Sequence, residues 1–141
     1  MIKCGSNSTG FLTLGGNLYV CGLNNCGQLG LGQVNNVSLF TKVEPFDNNI
    51  KDFGFGLNHS IVLTKCNSIY SCGGWYFYYQ VLTISDNMYG QLGFNDTVRR
   101  NVFTKINLEI GYIEMFSCGG HHVMLYNRSG ELYSFGRYKH Q

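Results

Sequence analysis

Glycine recurs along this chain at fixed intervals, and this regularity limits the folds that the chain can adopt. An interval of 17 residues separates Gly5 from Gly22, and the same interval occurs twice more in the sequence. A second interval, of 26 residues, separates Gly30 from Gly56 and is repeated once. A fixed period of this length indicates a repeat architecture, so the repeat is the first guide to the fold.

The repeat unit is 51 residues long where it is intact, from Gly5 to Gly56, and 63 residues long in the next copy, which ends at Gly119. The 12 additional residues form an insert at about residues 74–85. We therefore interpret the chain as one domain over 1–141 with three units. Their approximate bounds are 5–55, 56–118 with the insert, and 119–141, the last unit being truncated.

Within each unit, short apolar segments lie between turns rich in glycine, asparagine and aspartate, which is typical of β-strands. Glycine is abundant (19 residues), proline is scarce (one residue), and aromatic residues make up 15% of the 141-residue chain. No segment has a helical periodicity of useful length. The predicted strands are Phe11–Leu14, Asn17–Cys21, Phe40–Val43, Ile50–Phe55, Ser60–Thr64, Ser68–Cys72, Val102–Ile106, Tyr112–Phe116, Val123–Tyr126 and Glu131–Phe135. Four short strands per repeat favour an all-β fold built from β-propeller blades.

Two short motifs recur with these strands. The first is the loop Gly-Gln-Leu-Gly, at residues 27–30 and again at 90–93, and the second is Gly-x-x-His, at 56–59 and 119–122. With the flanking strand motif, they resemble the regulator of chromosome condensation repeat. The residues of this chain that match the pattern of that family are Gly22, Gly27, Gln28, Gly30, Gly56, His59, Gly73, Gly90, Gln91, Gly93, Gly119, His122 and Gly136.

The chain departs from the family pattern at two kinds of position. Ser8 stands where the first copy of Gly-x-x-His would have histidine. The position that often holds tryptophan in the family holds Cys21, Cys72 and Phe135 here.

The resemblance implies a seven-bladed β-propeller, of which this chain would be an incomplete part. About two four-stranded antiparallel blades and the start of a third are expected. Because each blade of such an array buries its apolar faces against its neighbours, the remaining blades are expected from a longer chain or from other chains.

The insert at 74–85 has no counterpart in the other repeats and is rich in aromatic residues. One interpretation is translated non-coding sequence or an inert loop. The other is a protrusion that contacts a partner, by positional analogy with a hairpin wedge that enters the GTPase Ran in the founding member of the family. The candidate contact residues are Trp75, Tyr76, Phe77 and Tyr78.

We predict neither catalytic residues nor a bound cofactor or metal. His59 and His122 recur at equivalent positions, which favours a repeated structural task, and we expect each to form a hydrogen bond between neighbouring blades. The six cysteines include no Cys-x-x-Cys pair, which argues against a zinc ribbon. The glycine loops lack the Lys-Ser/Thr of a phosphate-binding loop.

The resemblance therefore favours a protein-interaction module that docks protein partners. The alternative is a guanine nucleotide exchange factor for a small GTPase such as Ran, which would act by stabilising the nucleotide-free state. A formal charge of +2 with scattered basic residues gives no nucleic-acid signal. The sequence has no apolar run long enough for a membrane span and no secretory signal, so we expect an intracellular protein, cytoplasmic or nuclear.

Overall fold

The computed structural model describes residues 1–74 and 87–137, and within them every regular element is a β-strand. The eleven strands form three antiparallel sheets that follow one another along the chain. No helix in this described part is long and apolar enough to cross a membrane.

The first two sheets each contain four strands in sequential order. The strands of the first sheet are β1 (Ile2–Cys4), β2 (Ser8–Leu12), β3 (Leu18–Gly22) and β4 (Val37–Lys42). The strands of the second sheet are β5 (Ile50–Phe55), β6 (His59–Thr64), β7 (Ile69–Gly73) and β8 (Arg100–Ile106). The described strands of the third sheet are β9 (Ile113–Cys118), β10 (His122–Asn127) and β11 (Leu132–Gly136).

Side chains alternate between the two faces of each strand, and this alternation places the core between the sheets. In β10, for example, Val123 and Leu125 are buried, whereas Met124 is 37% exposed. One apolar cluster lies between the first and second sheets and includes Leu18, Leu29 and Val62. A second lies between the second and third sheets and includes Ile61, Ile106 and Val123.

The sheets meet along their first strands. Strand β5 of the second sheet contacts both β1 of the first and β9 of the third. Lys3 Nζ on β1 lies 2.7 Å from Asp52 Oδ1 on β5, and 5.6 Å from the ring centroids of both Phe53 and Phe116. Successive sheets are therefore joined at their inner edges, as propeller blades are around a common axis.

All ten predicted strands agree with observed ones to within three residues at each end, and Ile50–Phe55 agrees at both ends. Strand β1 was not predicted. The first strand of each sheet lies directly before the Gly-x-x-His motif or its serine variant. The boundaries of the sequence repeat and of the sheets therefore differ by one strand: the last strand of one sequence unit is the first strand of the next sheet. The unit bounds 5–55, 56–118 and 119–141 stay a prediction.

Candidate functional site

The 17-residue glycine interval marks the end of the third strand in each sheet. Gly22, Gly73 and Gly136 have φ values of 114°, 112° and 109°, a region that favours glycine. A Cβ added at any of them would overlap a backbone carbonyl of the turn before the second strand, such as that of Asn7 beside Gly22. These glycines let the outgoing loop pass directly over that turn.

The loop that follows β3 is held by side chains that hydrogen-bond to its own backbone. Asn24 is fully buried, accepts a hydrogen bond at Oδ1 from the Leu29 amide (2.9 Å) and donates one from Nδ2 to the Gln33 carbonyl (2.8 Å). Gln28 Oε1 accepts a hydrogen bond from the Cys26 amide at 3.0 Å. Asn24, like Gln28, therefore belongs to the motif, but it was not among the residues predicted from the sequence.

The loop that follows β7 repeats these contacts. Asn87 Oδ1 accepts from the Leu92 amide at 3.1 Å, and its Nδ2 donates to the Asp96 carbonyl at 2.9 Å. Gln91 Oε1 accepts from the Tyr89 amide at 3.3 Å. The asparagine five residues before the leucine of each Gly-Gln-Leu-Gly loop was the sequence signal that could have identified both residues.

The first of these loops is fastened to the next sheet along the chain. The Gln28 carbonyl accepts hydrogen bonds from the Ser60 hydroxyl and, at 3.5 Å, from the Cys72 thiol, both in the second sheet. Gly30, with φ of 69°, lies against the Phe103 ring of β8, where a Cβ would overlap that ring. The motif glycine therefore permits close packing between two sheets.

Backbone pairing extends this junction. Leu31 and Val102 form an isolated antiparallel bridge between the loop and β8. The Gly32 amide donates to the Asn101 carbonyl at 2.9 Å, and Asn101 Nδ2 donates to the Gly32 carbonyl at 3.0 Å. The first loop therefore connects two sheets. We call it and its equivalent after β7 the loop clamps (residues 24–32 in the first sheet and 87–95 in the second).

The histidines of the Gly-x-x-His motif close the turn between the first and second strands. The Gly56 amide donates to the His59 carbonyl at 2.8 Å, and the Gly119 amide donates to that of His122 at 2.9 Å. Each ring lies against its own motif glycine, so closely that a Cβ on Gly56 or Gly119 would overlap it. These glycines leave the space that the imidazole occupies.

The structure does not show the hydrogen bond expected from His59 to a neighbouring blade. Among the described residues, neither ring nitrogen of this side chain, which is 1% exposed, has a hydrogen-bond partner. Burial, with the nearby His121 and His122, lowers the His59 pKa to about 4, so the ring is neutral near pH 7. The chain connects its second and third sheets here through backbone instead, by a 3.0 Å hydrogen bond from the Leu57 amide to the Gly120 carbonyl.

Ser8 shows how the first sheet uses a different residue at the histidine position. Its hydroxyl donates to the Leu23 carbonyl at 3.1 Å, which connects β2 to the start of the first loop clamp. The Gly5 amide still donates to the Ser8 carbonyl at 2.8 Å, so the turn keeps its backbone geometry.

The six cysteines do not form a disulfide. Burial raises the pKa of the Cys72 and Cys118 thiols, the latter to about 12, so both are protonated near neutral pH. Hydrogen bonding, chiefly from Thr64, lowers the pKa of the exposed Cys66 thiol to about 7. Within residues 1–74 and 87–137, no group of three or more His, Cys, Asp or Glu side chains is placed to hold a metal ion.

The loop clamps and the turns before the second strands lie at the same end of the sheets, which we call the long-loop face. At the junction of the second and third sheets, this face carries three neighbouring side chains: a tyrosine, a histidine and an arginine. The Tyr89 and His121 ring centroids are 5.4 Å apart, and the Arg137 guanidinium lies 4.6 Å from the Tyr89 centroid. Leu57, 36% exposed, lies in a turn of the same face.

The insert leaves the second sheet at this face. The Gly74 amide donates to the Asn58 carbonyl at 2.8 Å, as the Leu23 amide does to the Asn7 carbonyl, so Gly74 is equivalent to Leu23. The additional residues between equivalent positions are therefore 75–86. The candidate contact residues Trp75, Tyr76, Phe77 and Tyr78 lie outside the described residues.

Comparison with known proteins identifies the repeat. A family model described as the regulator of chromosome condensation (RCC1) repeat matches residues 15–63. The chain is 33% identical over 138 residues to the X-linked retinitis pigmentosa GTPase regulator of Canis lupus familiaris, a match that covers 96% of this chain and 13% of that protein. It is 30% identical over 134 residues to the secretion-regulating guanine nucleotide exchange factor of Mus musculus, with 94% of this chain and 26% of that protein covered.

Solved structures share the fold. Yeast RCC1 (Prp20), solved bound to Kap60, superposes with a TM-score of 0.78 at 22% identity, over 96% of this chain and 31% of that one. Human WBSCR16 superposes with a TM-score of 0.80 at 23% identity, over 96% of this chain and 32% of that one. A further structure, Saccharomyces cerevisiae Prp20p, described with its binding to Gsp1p and histones, gives 0.73 at 26% identity, over 96% and 32% of the two chains.

The chain thus spans a small part of its curated relatives and about a third of these solved chains. The recognition of the repeat and the expected all-β propeller architecture are both confirmed. The three sheets are blades, two of them four-stranded and the third with three described strands. The chain carries a regulator of chromosome condensation repeat, and its described residues form blades of a β-propeller.

Proposed function

We propose that this chain is a protein-interaction module that docks a protein partner on its long-loop face. The observation that carries the proposal is that the motif side chains near that face are buried, whereas a separate set of side chains is exposed on it. The motif side chains Asn24, Gln28 and His59 are buried inside the blades or loop clamps. Tyr89, His121 and Arg137 form a partly exposed cluster at the surface, where they can contact a partner.

The composition of this cluster suits protein recognition. Tyrosine and arginine are enriched at the energetically important positions of protein interfaces. The cluster lies over a backbone that is fixed by the hydrogen bond between Leu57 and Gly120. Little conformational entropy of this backbone would therefore be lost on binding. The insert begins on the same face, and we include Trp75, Tyr76, Phe77 and Tyr78 in the proposed contact surface.

Site-specific photo-cross-linking tests the proposal. A photoreactive amino acid replaces Leu57 on the long-loop face in one variant and Leu14, at the opposite end of the blades, in the other. Leu57 is 36% exposed and Leu14 is fully exposed, so a weaker signal from position 14 could not result from poorer access. We expect a specific cross-linked protein from position 57 and a much weaker one from position 14. Equal labelling from both positions would contradict docking on this face.

A second candidate is guanine nucleotide exchange on a small GTPase. It is favoured by one observation, the 30% identity to a relative named as a secretion-regulating guanine nucleotide exchange factor. The structure of Prp20p described with binding to Gsp1p adds a fold-level parallel. Nucleotide release from Ran and from other small GTPases, measured with the longest polypeptide that contains this chain, tests it. Acceleration that is lost on Tyr89→Ala or Arg137→Ala substitution would support exchange activity, and no acceleration would leave the interaction module.

We place this function inside the cell, in the cytoplasm or nucleus. The support is chemical: none of the six cysteines forms a disulfide, which is usual in a reducing compartment. Determination of the thiol content of the protein isolated from cells tests this assignment, and we expect all six cysteines to be reduced.

A further inference from the structure

The outer rim of the molecule has a groove between the first and second blades, with a volume of about 490 Å³. We call it the rim groove, and its lining includes Leu31, Val37, Thr41, Lys42, Glu44 and Val102. Both blades have their four strands among the described residues, so the groove does not result from an incomplete blade. We propose that the rim groove binds an extended segment of a partner protein that carries an aliphatic side chain and a basic one.

The groove has an aliphatic lining that an apolar side chain of the occupant can cover. Leu31 and Val37 are half-buried along it, and Val102 on the opposite wall is 49% exposed. Covering such a side chain removes apolar surface from water, which favours binding. The aliphatic residue of the occupant therefore lies against Val102.

The first loop clamp shows that an extended backbone fits beside β8 at this place. Leu31 pairs with Val102 in an isolated antiparallel bridge, and the Gly32 amide donates to the Asn101 carbonyl at 2.9 Å. Extended chain thus already lies at one end of the groove. An occupant with the same conformation presents alternate side chains to the groove and to solvent.

An excess of negative charge at the other end of the groove sets the charge of the occupant. Lys42 Nζ lies 3.0 Å from Glu44 Oε1 and 2.7 Å from Asp47 Oδ1. Two exposed carboxylates therefore surround one ammonium group, and the three side chains together carry a net negative charge near neutral pH. A basic side chain of the partner complements this charge.

The carboxylate of Glu44 is not a feature of the repeat. The pairing of the third and fourth strands makes Lys105 the equivalent of Lys42, so Asn107 is the equivalent of Glu44. The acidic end of the groove is therefore particular to the junction of the first two blades. The rim groove is also separate from the long-loop face, so this inference does not depend on the function proposed for that face.

A phage-displayed library of random decapeptides tests the proposal. The library is first depleted on the Val102→Glu protein, whose additional carboxylate lies in the groove, and is then selected on the unchanged 141-residue protein. We expect the selected peptides to share an aliphatic residue with a lysine or arginine a few positions away. Failure to enrich any peptide, or enrichment of peptides that share no basic residue, would overturn the proposal.

Matched variants then locate the binding of a selected peptide, measured by fluorescence anisotropy. Glu44→Lys should weaken binding at least about threefold, because repulsion replaces attraction. Glu109→Lys, an exposed glutamate that follows the fourth strand of the second blade, should leave the affinity unchanged. Val98→Glu should do the same, since Val98 is as exposed as Val102 but lies outside the lining of the groove. Equal effects of Glu44→Lys and Glu109→Lys would overturn the proposal.

The longest polypeptide that contains this chain identifies the source of the occupant. Because the occupant belongs to a partner, we expect this polypeptide to bind the selected peptide with the affinity of the 141-residue protein, to within about threefold. Loss of peptide binding in the longer polypeptide would show that a segment of the same polypeptide fills the groove, and it would overturn our assignment.

Discussion

At the scale of single residues, His59 shows that the motif histidine is a packing residue. Its ring is buried beside Gly56, and no described residue forms a hydrogen bond with its two nitrogens. Protonation would place a positive charge in this apolar position near His121 and His122. The resulting pKa of about 4 connects the packing of the ring to the pH dependence of stability.

We predict that the protein loses stability as the pH falls from about 6.5 to about 4, and that His59 causes much of this loss. The unfolded chain takes up a proton at His59 near the ordinary pKa, whereas the folded chain resists it, so unfolding is favoured increasingly across that range. The cost reaches about 3 kcal/mol at the lower end. Urea unfolding at pH 7 and pH 4.5 measures it, and in His59→Gln the difference between the two pH values should shrink.

Asn24 shows that a single amide can hold a loop. We predict that Asn24→Ala lowers the free energy of unfolding by about 2 kcal/mol, because the Leu29 amide and the Gln33 carbonyl each lose their partner. Asn25→Ala is the matched control, since its side chain is exposed and it should change stability by less than about 0.5 kcal/mol. Similar losses in the two variants would show that Asn24 has no special role.

At the scale of elements, the loop clamp and the fourth strand form one unit across two blades. Phe103 of β8 packs against Gly30 of the preceding blade, and its ring centroid lies 5.6 Å from that of Phe46. Phe40 occupies the same position in β4 and is 50% exposed, and its ring centroid lies 4.9 Å from that of Phe11 on β2. Phe103 therefore packs between two blades, whereas Phe40 packs within its own blade.

We predict a difference between two equivalent phenylalanine substitutions. Phe103→Ala should lower the free energy of unfolding by about 2 kcal/mol, since it removes packing between blades. Phe40→Ala should lower it by less than about 1 kcal/mol, because much of that ring is already in water. Chemical denaturation of both variants provides the comparison, and equal losses would argue against coupling through the clamp.

The sequence predicted strands best where apolar and polar residues alternate between clear turns. Ile50–Phe55 lies between an Asp-Asn-Asn turn and a glycine, and it was predicted at both ends. Strand β1 was missed because three residues are too few to show a period, and it is fixed by pairing with β2. The start of β4 was predicted three residues late, since Ser38 and its neighbours are largely exposed and give little apolar signal.

The candidate site was only partly predictable, for a similar reason. The glycine and glutamine positions could be found because they recur at fixed spacing. The contacts that these residues form depend on how the blades pack and could not be found from the spacing. The hydrogen bond from the Ser60 hydroxyl to the Gln28 carbonyl, for example, joins residues 32 positions apart. The surface cluster of Tyr89, His121 and Arg137 arises in the same way from three different loops.

At the scale of the whole molecule, each blade is completed by contacts with the next. Two apolar clusters join the three blades, and the loop clamp adds backbone and side-chain hydrogen bonds at the first junction. Such an array is stabilised mainly by interactions between neighbouring blades, so a substitution that disrupts one blade should also destabilise the next.

Hydrogen–deuterium exchange of the Gly30→Ala variant tests this central claim most directly. The new methyl group lies in the first blade but overlaps Phe103 of the second, and the residue has a positive φ. We predict faster exchange both in the loop clamp of the first blade and in β7 and β8 of the second, with β10 and β11 less affected. Faster exchange confined to the loop clamp, with β7 and β8 unchanged, would contradict the claim that the repeat motif fastens one blade to the next.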